Sequence, residues 1–113
     1  MNIRKISLSE INIQIIVSDE TISPFEQLSE CMNHLDIQDL LDEAETSNIW
    51  KWCFVEVKGS YKGMEVSDYL GCCSYVSEED FINNSGYYND MCETVLDAIQ
   101  EQANDLIQDL IIN

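Results

Sequence analysis

The sequence predicts an α+β domain in which helices pack on one face of a small antiparallel sheet. Three patterns carry that expectation. Ile11, Ile13, Ile15 and Val17 alternate with Asn12 and Gln14, as a half-buried strand does. Residues 50–75 hold two alternating apolar runs on either side of Lys62-Gly63, a two-residue hairpin turn weaker in signal than Asn-Gly. From about residue 88 the apolar positions switch to helical spacing and keep it to about residue 111. A length of 113 residues with 45% hydrophobic content fits a single domain, 1–113, with a core of its own.

The first strand is expected over about residues 10–17. Ser23-Pro24-Phe25-Glu26 then offers a helix start, with Ser as N-cap, Pro at the first helical position and Glu three after the cap. Phe25, Leu28, Met32 and Leu35 form its apolar stripe and place a helix over about 24–35. Ile37, Leu40, Leu41 and Ala44 lie on nearly the opposite side of the same wheel, so one straight helix could not bury both sets. A break near Asp36 is therefore expected, with Asp36 capping a second helix over about 37–46.

The hairpin follows over about 50–75. With Lys62-Gly63 as its turn, Val57 opposes Asp68, Val55 opposes Leu70 and Cys53 opposes Cys72. The other face pairs Phe54 with Gly71, Trp52 with Cys73 and Trp50 with Tyr75. Ser77 caps one short turn of helix holding Phe81 and Ile82, and Asn84-Ser85-Gly86 ends it. A long helix over about 88–111 completes the chain.

Charge restricts the function. Against 22 Asp and Glu stand five bases, Arg4, Lys5, Lys51, Lys58 and Lys62, for a net charge of −17. Residues 63–113 carry eleven acids and no base. A nucleic acid or an anionic membrane needs Lys and Arg on its partner, so direct binding to either is disfavoured. The first residues lack the apolar run of a signal peptide, and no segment approaches 18 apolar residues. Five cysteines, at 31, 53, 72, 73 and 92, are an odd number without CxxC spacing, which reads as free, mostly buried thiols in a reducing cytosol.

Catalytic and metal chemistry find little support. His34 is the only histidine and falls on a polar helix phase. There is no GxGxxG, Walker loop, HExxH or DxDxDG sequence, and Cys72-Cys73 is adjacent rather than spaced for zinc. No catalytic residue, metal ligand or cofactor is expected. The aromatic residues Trp50, Trp52, Phe54, Tyr69 and Tyr75 read as one face of the hairpin. Both hairpin faces are apolar near Trp52 and one helical layer covers only one, which leaves a core, a partner surface or a homodimer contact for the other.

Asp90, Glu93, Asp97, Glu101, Asp105 and Asp109 are spaced by three and then by fours. On a helix they cover an arc of roughly 160°, opposite Cys92, Val95, Leu96, Ile99, Ala103, Leu106 and Leu110. Like charges at i, i+4 cost a helix about 0.2–0.5 kcal/mol per pair. An ordinary solvated face mixes Lys with Glu for that reason, and this one does not. Successive carboxylates rise about 6 Å along the axis, close to the phosphate spacing of a nucleic-acid strand. The row, aided by Glu78, Glu79 and Asp80, therefore reads as a surface for a basic partner.

The stretches Trp52-Cys53-Phe54-Val55-Glu56-Val57, Asp68-Tyr69-Leu70-Gly71-Cys72-Cys73-Ser74-Tyr75, Asp80-Phe81 and Gly86-Tyr87-Tyr88-Asn89-Asp90-Met91 resemble small uncharacterised proteins of phages and mobile elements, over roughly residues 50–99. In size and charge the chain is similar to phage-borne anti-restriction and anti-CRISPR proteins that mimic DNA. That likeness implies a non-enzymatic inhibitor in the host bacterial cytoplasm. Its acidic surface would fill the basic nucleic-acid groove of a defence nuclease or effector. The alternatives are an immunity protein neutralising a basic nuclease toxin, and a dimeric interaction module whose charge serves solubility.

Overall fold

A computed structural model describes the backbone of residues 4–112 and the side chains of residues 4–108. Strands β1 (Asn12–Asp19), β2 (Cys53–Tyr61) and β3 (Met64–Cys73) form an antiparallel sheet in the order β1-β2-β3. Four helices accompany it: α1 (Pro24–Leu28), α2 (His34–Thr46), α3 (Glu78–Asn84) and α4 (Tyr88–Ile112). The α+β architecture expected from the sequence is therefore present.

β1 starts later than its alternation suggests because Ser7 and Glu10 build a capped 3-10 turn over Leu8–Glu10. The Glu10 carboxylate accepts from the Ser7 N–H at 2.9 Å, and Ile11 ends the turn as a buried residue. α1 begins as expected, with the Ser23 hydroxyl accepting from the Phe25 N–H and Pro24 at the first position. It stops at Leu28, seven residues short of the expected end. Asn33 is the reason: its side chain accepts from the Asp36 N–H at 2.9 Å and donates to the Asp36 carboxylate at 2.8 Å. Asn33 thus caps α2, and Asp36 lies inside the first turn rather than at its cap.

The hairpin turn falls at Lys62-Gly63, where both residues take positive φ (47° and 84°), as a primed turn requires. Val57 opposes Asp68 and Val55 opposes Leu70, as the alternation predicts. Beyond that point the register differs. Cys53 opposes Cys73, not Cys72, because β3 carries one extra residue between these pairs. Cys72 absorbs it as a bulge at φ 55°. A second departure precedes β2: Ile49–Lys51 is a 3-10 turn capped by Asn48, so Trp50 and Trp52 lie before the strand.

Cys53, Val55, Val57 and Gly59 point to the helical side of the sheet and are buried, while Phe54, Glu56, Lys58 and Ser60 face away and are half-buried. One core cluster joins the inner β2 residues and Cys73 to Phe81 of α3 and Met91 and Cys92 of α4. A second joins Ile6 and Ile11 to Val95 and Ile99. Full burial of side chains such as Phe81, Val55 and Ile99 contributes about 1.5–3 kcal/mol each. α4 crosses β2 so closely at Gly59 that a Cβ there would collide with Val95 Cγ1. A glycine is what lets the long helix lie flat on β2 and β3.

Candidate functional site

α4 divides as its periodicity predicts. Cys92, Val95 and Ile99 are buried, and Leu96 and Ala103 are half-buried. Leu106 departs from the expected inner arc and is 55% exposed. It lies where α4 reaches the hairpin end, lining an open groove with Tyr61, Met64 and Ile107. On the outer side Asp90, Glu93, Asp97, Glu101 and Asp105 are all exposed. The side chains of Asp109 and Leu110 lie outside the described residues.

Three ion pairs occur among the described residues: Arg4–Glu10, Lys51–Glu43 and Lys58–Glu65. None involves an α4 carboxylate. The row is held by a helix fixed at several points, through Met91, Cys92, Val95 and Ile99 in the core. Gln100 accepts from the Ile6 N–H at 2.7 Å, tying the N-terminal segment to α4. Five carboxylates thus project from one helix face, and none of them forms an ion pair among the described residues. Such groups accept charge-assisted hydrogen bonds from Arg and Lys, each stronger than a neutral bond.

The α3 acids divide differently. Glu78 and Glu79 are exposed in its first turn. Asp80 uses its carboxylate internally, accepting from the Val76 N–H at 3.0 Å and from Asn84 Nδ2 at 2.9 Å. Those bonds, the Val76 contact foremost, hold its carboxyl below the usual carboxylate range. Its charge still adds to the local field, but its lone pairs are partly committed.

The five aromatics expected on one face are separated by the bulge and the 3-10 turn. Trp50 and Tyr75 turn to the helical side, their rings 5.8 and 5.3 Å from Phe81, which also meets Tyr88 at 6.0 Å. Trp52 is 4% exposed, its indole N–H donating to the Ile22 carbonyl at 2.8 Å. Phe54 and Tyr69 stack on the far side of the sheet at 5.7 Å, with Tyr69 largely exposed. The single aromatic face is corrected to a cluster of Trp50 and Tyr75 around Phe81, a buried Trp52 apart from it, and an outer Phe54–Tyr69 pair.

Glu20 is a residue whose importance the sequence gives no sign of. Its carboxylate accepts from the Cys72 N–H at 2.6 Å and the Ile22 N–H at 3.0 Å. Burial raises its pKa, but the backbone donors of Cys72, Ile22 and Thr21 outweigh that and leave it below the ordinary value. No local pattern could reveal a contact between residues 52 positions apart.

His34 is exposed at the start of α2, its ring 4.8 Å from Phe25. A hydrogen bond with Cys73 and burial push the Cys53 thiol far up, and burial also raises Cys72 and Cys92. These three thiols lack the lowered pKa that activates a nucleophile. Among the described residues no three His, Cys, Asp or Glu side chains converge to hold a metal ion. No helix among them is long and apolar enough to cross a membrane. No family model, curated protein or solved structure matches this chain.

Proposed function

We propose that the protein is a non-enzymatic inhibitor of the phage anti-restriction or anti-CRISPR kind, acting in the cytoplasm of the host bacterium. Its α4 carboxylates occupy the basic nucleic-acid groove of a bacterial defence nuclease or effector. One observation carries the reading: Asp90, Glu93, Asp97, Glu101 and Asp105 are exposed together, and none takes part in an ion pair among the described residues. Their axial spacing of about 6 Å follows from the helical rise and approximates a row of phosphates. A folded helix also presents them without the ordering cost that a flexible acidic tail meets on binding. Glu78 and Glu79 extend the acidic surface from α3.

The partner is a basic protein, and the contact is made by Asp and Glu in the place of phosphate oxygens. The test is competition. Purified defence nucleases and effectors are screened for binding, and labelled duplex DNA is titrated against each complex. The reading expects DNA and this protein to exclude one another on the partner. Simultaneous binding of both to every partner found would contradict it.

A further inference from the structure

We infer that Cys53 and Cys73 are a site of reversible oxidation, where hydrogen peroxide closes a disulfide between β2 and β3. Register places the pair: the two residues are direct partners across the strands. Partners in an antiparallel ladder have Cα atoms about 4.5 or about 5.5 Å apart, and a disulfide spans about 4.4–6.8 Å. Both side chains lie on the helical side of the sheet in one core cluster, at 0% and 4% exposure. The strands therefore need not move for the sulfurs to join. The bulge makes this pair, since an unbroken ladder from Val55 and Leu70 would set Cys72 opposite Cys53.

The other cysteines are placed less well. Cys72 and Cys73 are consecutive, with Cα atoms about 3.8 Å apart, too close for an ordinary disulfide. Cys31 is exposed in the turn after α1, and Cys92 stands on α4, in a different layer of the core.

The two sulfurs are chemically unequal. A hydrogen bond from Cys53 holds the Cys73 thiol below its ordinary value, and the same contact, with burial, holds Cys53 far above its own. Cys73 is thus the sulfur that reacts first and Cys53 the one that resolves. Their other hydrogen bonds are long, from Cys73 to the Leu70 carbonyl at 3.4 Å and from Cys53 to the Trp50 carbonyl at 3.8 Å, so oxidation sacrifices little. The Cys73 thiolate attacks one peroxide oxygen and the O–O bond breaks. Hydroxide departs and recovers the proton that Cys73 released, leaving as water. The Cys53 sulfur then displaces hydroxide from the Cys73 sulfenic acid, and the Cys53 proton goes with it as a second water. Two thiols and one peroxide become one disulfide and two waters, a two-electron oxidation of the sulfur pair. The acidic row on the outer side of α4 takes no part.

Peptide mapping after hydrogen peroxide treatment tests the assignment. The Cys31→Ser/Cys72→Ser variant removes the exposed and half-buried thiols and should lose two hydrogens per chain. Its Cys53 peptide should be linked to its Cys73 peptide and released by dithiothreitol. Closing the loop between residues 53 and 73 should raise the melting temperature by at least about 5 °C. Adding Cys53→Ala should abolish that rise and let Cys73 proceed to the sulfinic acid. A Cys53–Cys92 link, a sulfinic acid at Cys73 while Cys53 is present, or thiols left free by a treatment that oxidises the denatured chain would each overturn the inference. The same mapping on the unaltered chain, with fragmentation separating Cys72 from Cys73, decides the matter even if a variant fails to fold.

Discussion

The Glu20 carboxylate accepts the Cys72 N–H at 2.6 Å, joining the end of β1 to the bulge in β3 across the width of the sheet. The bulge sets Cys53 opposite Cys73 and turns Tyr75 inward, where its N–H meets the Trp50 carbonyl at 2.7 Å. One side chain thus supports the register on which the aromatic cluster around Phe81 depends.

Glu20→Gln should destabilise the fold by about 1–2 kcal/mol near neutral pH, the scale of a charge-assisted hydrogen bond at a partly exposed site. The pH dependence has a definite sign. Glu20 titrates below the ordinary glutamate value of 4.5 when folded, so its contribution is present above that value and lost as pH falls through the lower folded pKa. Denaturant unfolding of both proteins between neutral pH and about pH 3 should show the difference between them shrinking on acidification. A pH-independent difference would assign the effect to packing.

Gly59→Ala should cost about 1–3 kcal/mol, since the added methyl meets Val95 in a filled core. The φ of Gly59 is not positive, so backbone strain is not involved. Combining Gly59→Ala with Val95→Ala should therefore recover part of the loss. Thermal melts of the two single variants and the double variant form the cycle that measures this coupling.

The hairpin was legible in the sequence because its determinants are local. Lys62-Gly63 fixes the turn, and alternation fixes Val57 against Asp68 and Val55 against Leu70. Legibility ends at Phe54, since the bulge rests on Glu20, which no period of the hairpin encodes. The end of α1 was hidden for a related reason: Phe25, Leu28, Met32 and Leu35 keep helical phase, yet the Asn33 cap outcompetes their continuation. The acidic row could be read because side-chain facing on a long helix follows from spacing alone. Leu106 could not, because its exposure depends on where α4 meets the hairpin end.

Association with the basic partner should be steered by charge. The rate should fall steeply from 0.1 to 1 M salt as the Debye length contracts from about 10 Å to about 3 Å. Stopped-flow mixing measures it. A flat response would point to the Phe54–Tyr69 pair as the contact.

His34→Ala and Cys72→Ser should leave inhibition unchanged, while Cys73→Ser should lower stability, because Cys73 is buried against Cys53. Inhibition assays beside melting curves check each. A folded His34→Ala protein without activity would favour a catalytic role.

The most direct measurement replaces Asp97, Glu101 and Asp105 together by Gln. Removing i, i+4 repulsion on an exposed helix face should leave the protein equally stable or more stable by about 0.5–1 kcal/mol in sum. Partner affinity, read in the same preparation by titration calorimetry, should fall. Each lost carboxylate that was desolvated leaves a partner Arg or Lys unmatched, at about 1–3 kcal/mol. Raised stability with lost binding is the result this account predicts. Unchanged affinity in the triple variant would contradict it.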